Sequence, residues 1–322
     1  MPTGPRKRLR QWGGILAVCT VLSACDAMQV PIEQTLKPQA RPDDGSELPP
    51  PVVAKPTSQE SAQLRSYLNQ VQVAQLSQGL LRTDGGGQDT PFSPDMLARN
   101  FEQIAFYNEY DSNFSGRGGK SPLRRWVSPV RMEVIFGDGV PRSQRNSDGA
   151  AVRSYAGRLA RVTGHPVGTS NPPNFIVIIA SEDDRAAALS AAAQRVRGIS
   201  PESLTALQEM RRDTYCVVAA FAAGDNANVY TAAVAVIRAE NPDLLRLSCI
   251  HEELAQGMGL ANDSPSARPS IFNDDDEFAL LTRHDELLLQ MLYDDRLQPG
   301  MSAERAAPIT RIIARELTGG PL

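Results

Sequence analysis

A chain of 322 residues with 41% apolar residues can bury the core of one sizeable domain plus extensions, and it is too short for several large ones. The formal net charge is −4; the first 24 residues hold four cations (Arg6, Lys7, Arg8, Arg10) and no acids, so the remainder carries 29 basic against 37 acidic residues, a net −8. A surface of that sign excludes nucleic acid as the expected partner.

Residues 1–24 read as an export signal: a basic start, the apolar run Gly13 to Leu22, then small residues ahead of Cys25. The run is too short and wrongly flanked for a spanning helix. Leu22-Ser23-Ala24-Cys25 resembles the bacterial lipobox. That resemblance implies cleavage before Cys25 and lipid on its sulfur, with an ordinary cleaved signal and a free cysteine as the alternative. Lipid chains would anchor a soluble domain to a membrane leaflet, here facing the periplasm of a Gram-negative envelope. In the sorting rule of enteric lipoproteins the acid that follows, Asp26, favours the inner membrane; inner against outer stays open. Residues 25–58, with Pro49-Pro50-Pro51 and Pro56, hold little to bury and read as a Pro-rich tether.

Gln59 to Arg82 places Leu64, Leu68, Val71, Leu76, Leu80 and Leu81 near helical spacing behind Ser58 as a cap, and Thr83 to Gly87 stops it, giving an N-terminal helical segment over 59–87. The main domain is expected over 88–322. Phe92-Ser93-Pro94 opens a second helix, in which Ser93 caps and Pro94 takes the first helical position. Phe106 to Tyr110 gathers aromatics around Glu109. Val130 to Phe136 alternates like a strand, and a helix from about Asp148 to Thr163 follows. Asn174 to Ala180 is a continuous apolar run, hence a central strand. The stretch 183–212 reads as two helices divided near Gly198 to Pro201, and Cys216–Phe221 and Val229–Ile237 read as two further strands. Asn241-Pro242-Asp243 starts a helix whose core face is Leu244, Leu247, Ile250, Leu254 and Met258. A loop over 264–276, with the acids Asp274, Asp275 and Asp276, leads to a last strong helix over 281–293. The order describes an α/β (α+β) domain of about four strands in a mixed sheet, with a helical C-terminal part.

Cys19 leaves with the signal and Cys25 takes lipid, so Cys216 and Cys249 remain in an oxidising compartment. A disulfide there would close a loop of about 34 residues and tie the helix after the last strand to the sheet; two buried free thiols are the alternative.

That helix and the turn after it, Cys249-Ile-His251-Glu252-Glu253-Leu-Ala-Gln256-Gly-Met-Gly259-Leu-Ala-Asn262-Asp263, carry the densest polar set in the chain. A catalytic zinc helix needs ligands at i and i+4 and a carboxylate at i+1 as general base. Counted from His251, Ala255 falls where the second ligand belongs. Counted from Glu252, the ligand positions are Glu252, Gln256 and Asn262, Glu253 is the candidate catalytic base, and Gly259 fits the framework.

In that second register the segment resembles the signature of an uncharacterised domain family of proteobacterial lipoproteins, itself similar to zincin-type metallopeptidases. The likeness runs over about residues 92–302, through Trp126, Val162-Thr163-Gly164, Leu281 to Asp285, Leu292-Tyr293 and Pro299-Gly300-Met301. It implies a degenerate, zincin-like fold with an active-site-type helix after the last strand. One anionic and two neutral oxygens suit zinc poorly; calcium or magnesium would suit them better, above all if Asp263 or Asp274 to Asp276 joined. His251 and His284 are weaker candidate metal ligands: His251 shares the helix face of Leu247, Leu254 and Met258, and His284 stands early in its own helix. His165 reads as a helix-terminus histidine. The expectation is a lipid-anchored envelope protein with a degenerate peptidase-like domain that binds an envelope protein or peptidoglycan. The alternatives are a metal-dependent hydrolase using Glu253 and a purely structural envelope lipoprotein.

Overall fold

The computed structural model describes residues 57–109, 118–195, 199, 201–222, 224, 226–273 and 275–319. The export signal, Cys25, Asp26, the tether up to Pro56, Tyr110 and Asp274 therefore lie outside the described residues. Among those described, the chain forms α1 (Gln59–Ser77), α2 (Pro94–Ala105), β1 (Arg125–Trp126), β2 (Val130–Phe136), α3 (Arg142–Thr163), β3 (Val167–Gly168), β4 (Phe175–Ala180), α4 (Arg185–Arg195), α5 (Pro201–Gln208), β5 (Cys216–Phe221), β6 (Val229–Tyr230), β7 (Ala232–Arg238), α6 (Asp243–Gln256), α7 (Arg283–Leu292) and α8 (Ala303–Thr318).

The main sheet runs β3-β2-β4-β7-β5; β3, β2, β4 and β7 are parallel, and β5 lies antiparallel on β7. Every residue of β4 and β7 is buried, as unbroken runs of Ile, Val and Ala require when helices cover both faces. β5 alternates buried and half-buried positions because it closes the sheet at one edge. The fold is thus mixed α/β, with five strands in the main sheet and a separate pair, β1 beside β6, rather than about four strands.

Four segments differ from the expectation for physical reasons, one of them α3, which starts at Arg142 directly behind Pro141 rather than at about Asp148. The first helix stops at Ser77, not Arg82, because Gly79 and Leu81 take positive φ and Arg82 bridges to Phe278 instead. Leu81 keeps its place in the apolar period by packing with Leu245 and Ala279 outside the helix. The expected strand 229–237 breaks at Thr231, whose N–H donates to Phe221 O, so that its first two residues serve β1 and the rest the main sheet. α8 runs through Pro308 and packs chiefly on α2.

α6 follows the last strand and lies in the core: Ile250, Leu254, Ala255 and Met258 are each 1% exposed or less. Full burial of such side chains contributes roughly 2 kcal/mol apiece. Its flank is tied to α3 by buried Arg246, which donates to Asp148 at 2.8 Å, and by Tyr155 Oη donating to His251 O at 2.8 Å. Cys216 and Cys249 form a disulfide with Cα atoms 5.9 Å apart, joining β5 to α6.

The turn after α6 is clamped on two sides. Trp126 Nε1 donates to Gly257 O (2.8 Å) and Tyr293 Oη to Met258 O (3.0 Å). These are the tryptophan before the first long strand and the tyrosine ending α7 in the matching segment.

Candidate functional site

Helical spacing puts Cys249, Glu252, Glu253 and Gln256 along one side of α6. Glu253 is 4% exposed and its Oε2 is buried with no hydrogen-bond partner, while Glu252 is half-buried. Among the described residues, the donor atoms that come together are those of Cys216, Glu252 and Glu253, all within 4.8 Å of one another. The sulfur of Cys216 is already bonded to Cys249.

Around this pair the chain brings further acids. The N–H of Glu109 donates to Ala261 O at 2.9 Å, which fixes Glu109 beside the turn that carries Asn262 and Asp263. Burial, followed by the charges of Glu109 and Asp263, holds the Glu253 carboxyl well above the usual range. Burial, then Asp263, Glu253, Glu109 and Asp276, does the same to Glu252. The pair therefore favours its protonated, uncharged form unless a cation compensates it.

The two amides at the remaining ligand positions are engaged. Gln256 Nε2 donates to Asp263 Oδ1 (3.0 Å), and Asn262 Nδ2 donates to Gln103 O (3.0 Å) and to Asp263 O (2.7 Å). Both side chains brace the turn through Asp263. Glu252, Gln256 and Asn262 together offer one carboxylate and two amide oxygens, a donor set that does not fit a catalytic zinc ion.

The imidazoles lie apart from the carboxylates. His251 stacks on Tyr155 with ring centroids 4.1 Å apart, and its Nδ1 accepts the Leu281 N–H at 3.1 Å. Burial, with the Arg158 guanidinium adding to it, lowers its pKa to about 3. His284 is fully buried, with Nε2 3.0 Å from Asn100 Nδ2 and its ring edge-on to Phe92. His165 packs on Tyr293 and places Nε2 2.9 Å from Ser128 O.

His251 sets an acid limb for stability. Its folded pKa is depressed, so its contribution is complete above pH 6.5 and is lost as pH falls toward 3, because only the unfolded chain takes up the proton. The expected loss from this group is about 3 kcal/mol by pH 4. Glu252 and Glu253 act in the opposite direction: their pKa values are raised, so their contribution is complete below the unfolded value and declines as pH rises above it. Above the unfolded glutamate value of 4.5 the two glutamates outweigh the one histidine, so denaturant melts between pH 4 and 8 should peak near the acid end, at about pH 4.5. His251→Asn, which keeps an acceptor for Leu281 N–H, should flatten the acid side only.

α6 was expected from the sequence, but the role of Glu109 was not, since it reaches the cluster through a backbone bond 152 positions away in the chain, Glu109 to Ala261. The one signal was its position among Phe106, Tyr107 and Tyr110. Of the acidic run, Asp276 acts on Glu252 by charge and accepts from Gln75 Nε2 at 2.6 Å. Asp275 is exposed and accepts from Glu277 N–H.

A family model described as Protein of unknown function (DUF2927) matches residues 94–312. No curated protein and no solved structure matches the chain.

Proposed function

The chain belongs to the DUF2927 family, proteins of unknown function, and we propose that it is an exported, lipid-anchored envelope protein whose degenerate metallopeptidase-like domain binds rather than cuts. One observation carries the reading. At the three positions where a zinc helix needs its ligands stand Glu252, Gln256 and Asn262, one carboxylate and two neutral amides with no imidazole or thiolate among them, and the amide nitrogens donate to Asp263 and Gln103. Without a zinc-holding set, Glu253 has no metal-bound water to deprotonate, and a carboxyl held in its neutral form is a poor base.

The zincin-like ancestry is supported by α6 following the last strand of a mixed sheet, with Gly259 and Glu253 at the framework positions. The lipobox-like Leu22 to Cys25 supports the anchor and the periplasm-facing placement, the segment 25–58 the tether, and the acid excess of the remainder speaks against nucleic acid as a partner. The partner expected is an envelope protein or peptidoglycan, met through cationic or donor groups by the acid-lined end of α6.

A second reading, a metal-dependent hydrolase with Glu253 as general base, is favoured by the unpartnered Glu253 Oε2, an oxygen that a hard cation such as calcium or magnesium would satisfy. Elemental analysis of the full disulfide-bonded chain, incubated with zinc, calcium or magnesium and then desalted, separates the two. The binding reading expects less than about a tenth of a metal per chain. One tightly held metal per chain would favour the hydrolase.

A further inference from the structure

We propose that reduction of the Cys216–Cys249 disulfide converts this end of α6 into a thiolate and carboxylate site for zinc, held by the two sulfurs together with Glu252 and Glu253. The proposal concerns the reduced chain and goes beyond the binding reading, which concerns the disulfide-bonded one.

The geometry points there from four sides. First, Cys249, Glu252 and Glu253 stand at i, i+3 and i+4 of α6, so one helix face supplies three of the four donors. Second, Cys216 opens β5 and its Sγ lies within 4.8 Å of a carboxylate oxygen of each glutamate. A tetrahedral zinc ion with bonds of about 2.3 Å to sulfur and about 2.0 Å to oxygen wants its donors some 3.3 to 3.8 Å apart. The separations among Cys216, Glu252 and Glu253 exceed that by up to about 1 Å, and Cys249 Sγ, released from Cys216, would have to turn toward the two carboxylates. Third, Glu253 Oε2 is buried with no hydrogen-bond partner, an acceptor that the fold leaves unmatched and that a cation would match. Fourth, the carboxylates of Glu109 and Asp263 bear on the same spot by charge, so the surroundings favour a cation.

The donor chemistry sets the metal. With the disulfide closed, only oxygens are offered, and zinc has no reason to prefer them. Two thiolates and two carboxylates form a four-donor set of the kind zinc takes, and the disulfide is the device that withholds its better half. Access is through Cys216, which is half-buried on the edge strand, whereas Cys249 is 2% exposed.

The step balances with a dithiol reductant. One of its thiolates attacks Cys216 Sγ and displaces Cys249 as a thiolate, which takes a proton. The second thiol then displaces Cys216 and leaves as the oxidised reductant, so that two electrons pass to the protein and two thiols remain. Zinc then replaces the two thiol protons and those of the protonated carboxyls, and binding releases them to solvent.

The test uses the full chain, reduced with a phosphine (which takes the oxygen of one water as the two protein thiols form) and desalted, against the chain with its disulfide intact. Zinc is titrated in competition with a chromophoric indicator, and cobalt is used as a spectroscopic substitute. The expected result is one zinc per reduced chain, held at least ~100-fold more tightly than by the oxidised chain. Cobalt should give sulfur-to-metal charge-transfer absorption with the visible bands of four-coordination. Glu252→Gln and Glu253→Gln, each reduced, should weaken zinc by about 10-fold or more. If reduction loosens the fold, zinc at one equivalent should restore the far-ultraviolet circular dichroism. Equal zinc affinity in the two redox states, cobalt spectra without sulfur ligation, glutamate variants that bind as the parent does, or a reduced chain that zinc fails to refold would each overturn the proposal. None of these outcomes bears on whether the oxidised chain binds or cuts.

Discussion

Gly259→Ala is expected to destabilise the domain by about 4 kcal/mol or prevent its folding. Gly259 has φ of +129°, a conformation open to glycine alone, and a Cβ built there would lie 2.4 Å from Arg124 O and 3.1 Å from Leu292 Cδ2. The first of those neighbours is backbone and cannot turn aside. Arg124 precedes the strand that carries Trp126, whose indole holds Gly257 O, so the methyl group would pry apart the clamp on the turn after α6. Gly164→Ala is the control: φ there is +66° with nothing near the added carbon, so about 1 kcal/mol is expected from conformation alone. Urea melts of the two variants measure the difference, which is the cost of the close approach. Equal losses would show that the turn can give way.

Asp285→Ala should cost about 3 to 5 kcal/mol. The side chain is fully buried and accepts four hydrogen bonds: from Ser270 Oγ at 2.5 Å, Ile271 N–H at 3.1 Å, Thr282 N–H at 2.9 Å and Thr282 Oγ1 at 2.8 Å. It closes a reciprocal cap on α7 with Thr282 and, through Ser270 and Ile271, holds the loop between α6 and α7 against the helix start. Alanine leaves two buried backbone N–H groups unmatched. Asp285→Asn keeps one acceptor oxygen and should lose about half as much. Denaturant midpoints at neutral pH measure both; a loss under about 1 kcal/mol for alanine would mean that the loop finds other partners.

The fold was most readable where one local rule acts alone. β2, β5 and the core of β4 appear with their expected bounds because alternation or an unbroken apolar run is decided within the strand itself. α4 ends at Arg195 and α5 starts at Pro201, on either side of the division expected from the same kind of local signal. Where an apolar residue serves a neighbour outside its own element, the pattern misled: Leu80 and Leu81 continue the period of α1, yet the helix has ended and Leu81 packs on Leu245. The break at Thr231 was hidden because β6 and β7 pair with different strands, a matter of topology that no run of Val and Ala records. α8 was covered only by the expectation of a helical C-terminal part, since Pro308 obscures its period.

The candidate site divides in the same way. The pairing of Cys216 with Cys249 was readable from counting cysteines, and the disulfide is present. The approach of Glu109, the bracing of Gln256 and Asn262 on Asp263, and the lone Glu253 Oε2 come from contacts between distant segments. These contacts turn a list of polar residues into a partly buried acid cluster, and they separate His251, stacked on Tyr155, from the glutamate beside it.

On the proposed reading, α6 carries a peptidase-like frame without peptidase chemistry. The most direct measurement is hydrolysis of a mixed-sequence peptide library by the disulfide-bonded full chain, with zinc, calcium or magnesium supplied, and by its Glu253→Gln variant. No cleavage above buffer by either protein is expected under any of these metals. Metal-dependent cleavage by the parent chain that Glu253→Gln abolishes would contradict that reading.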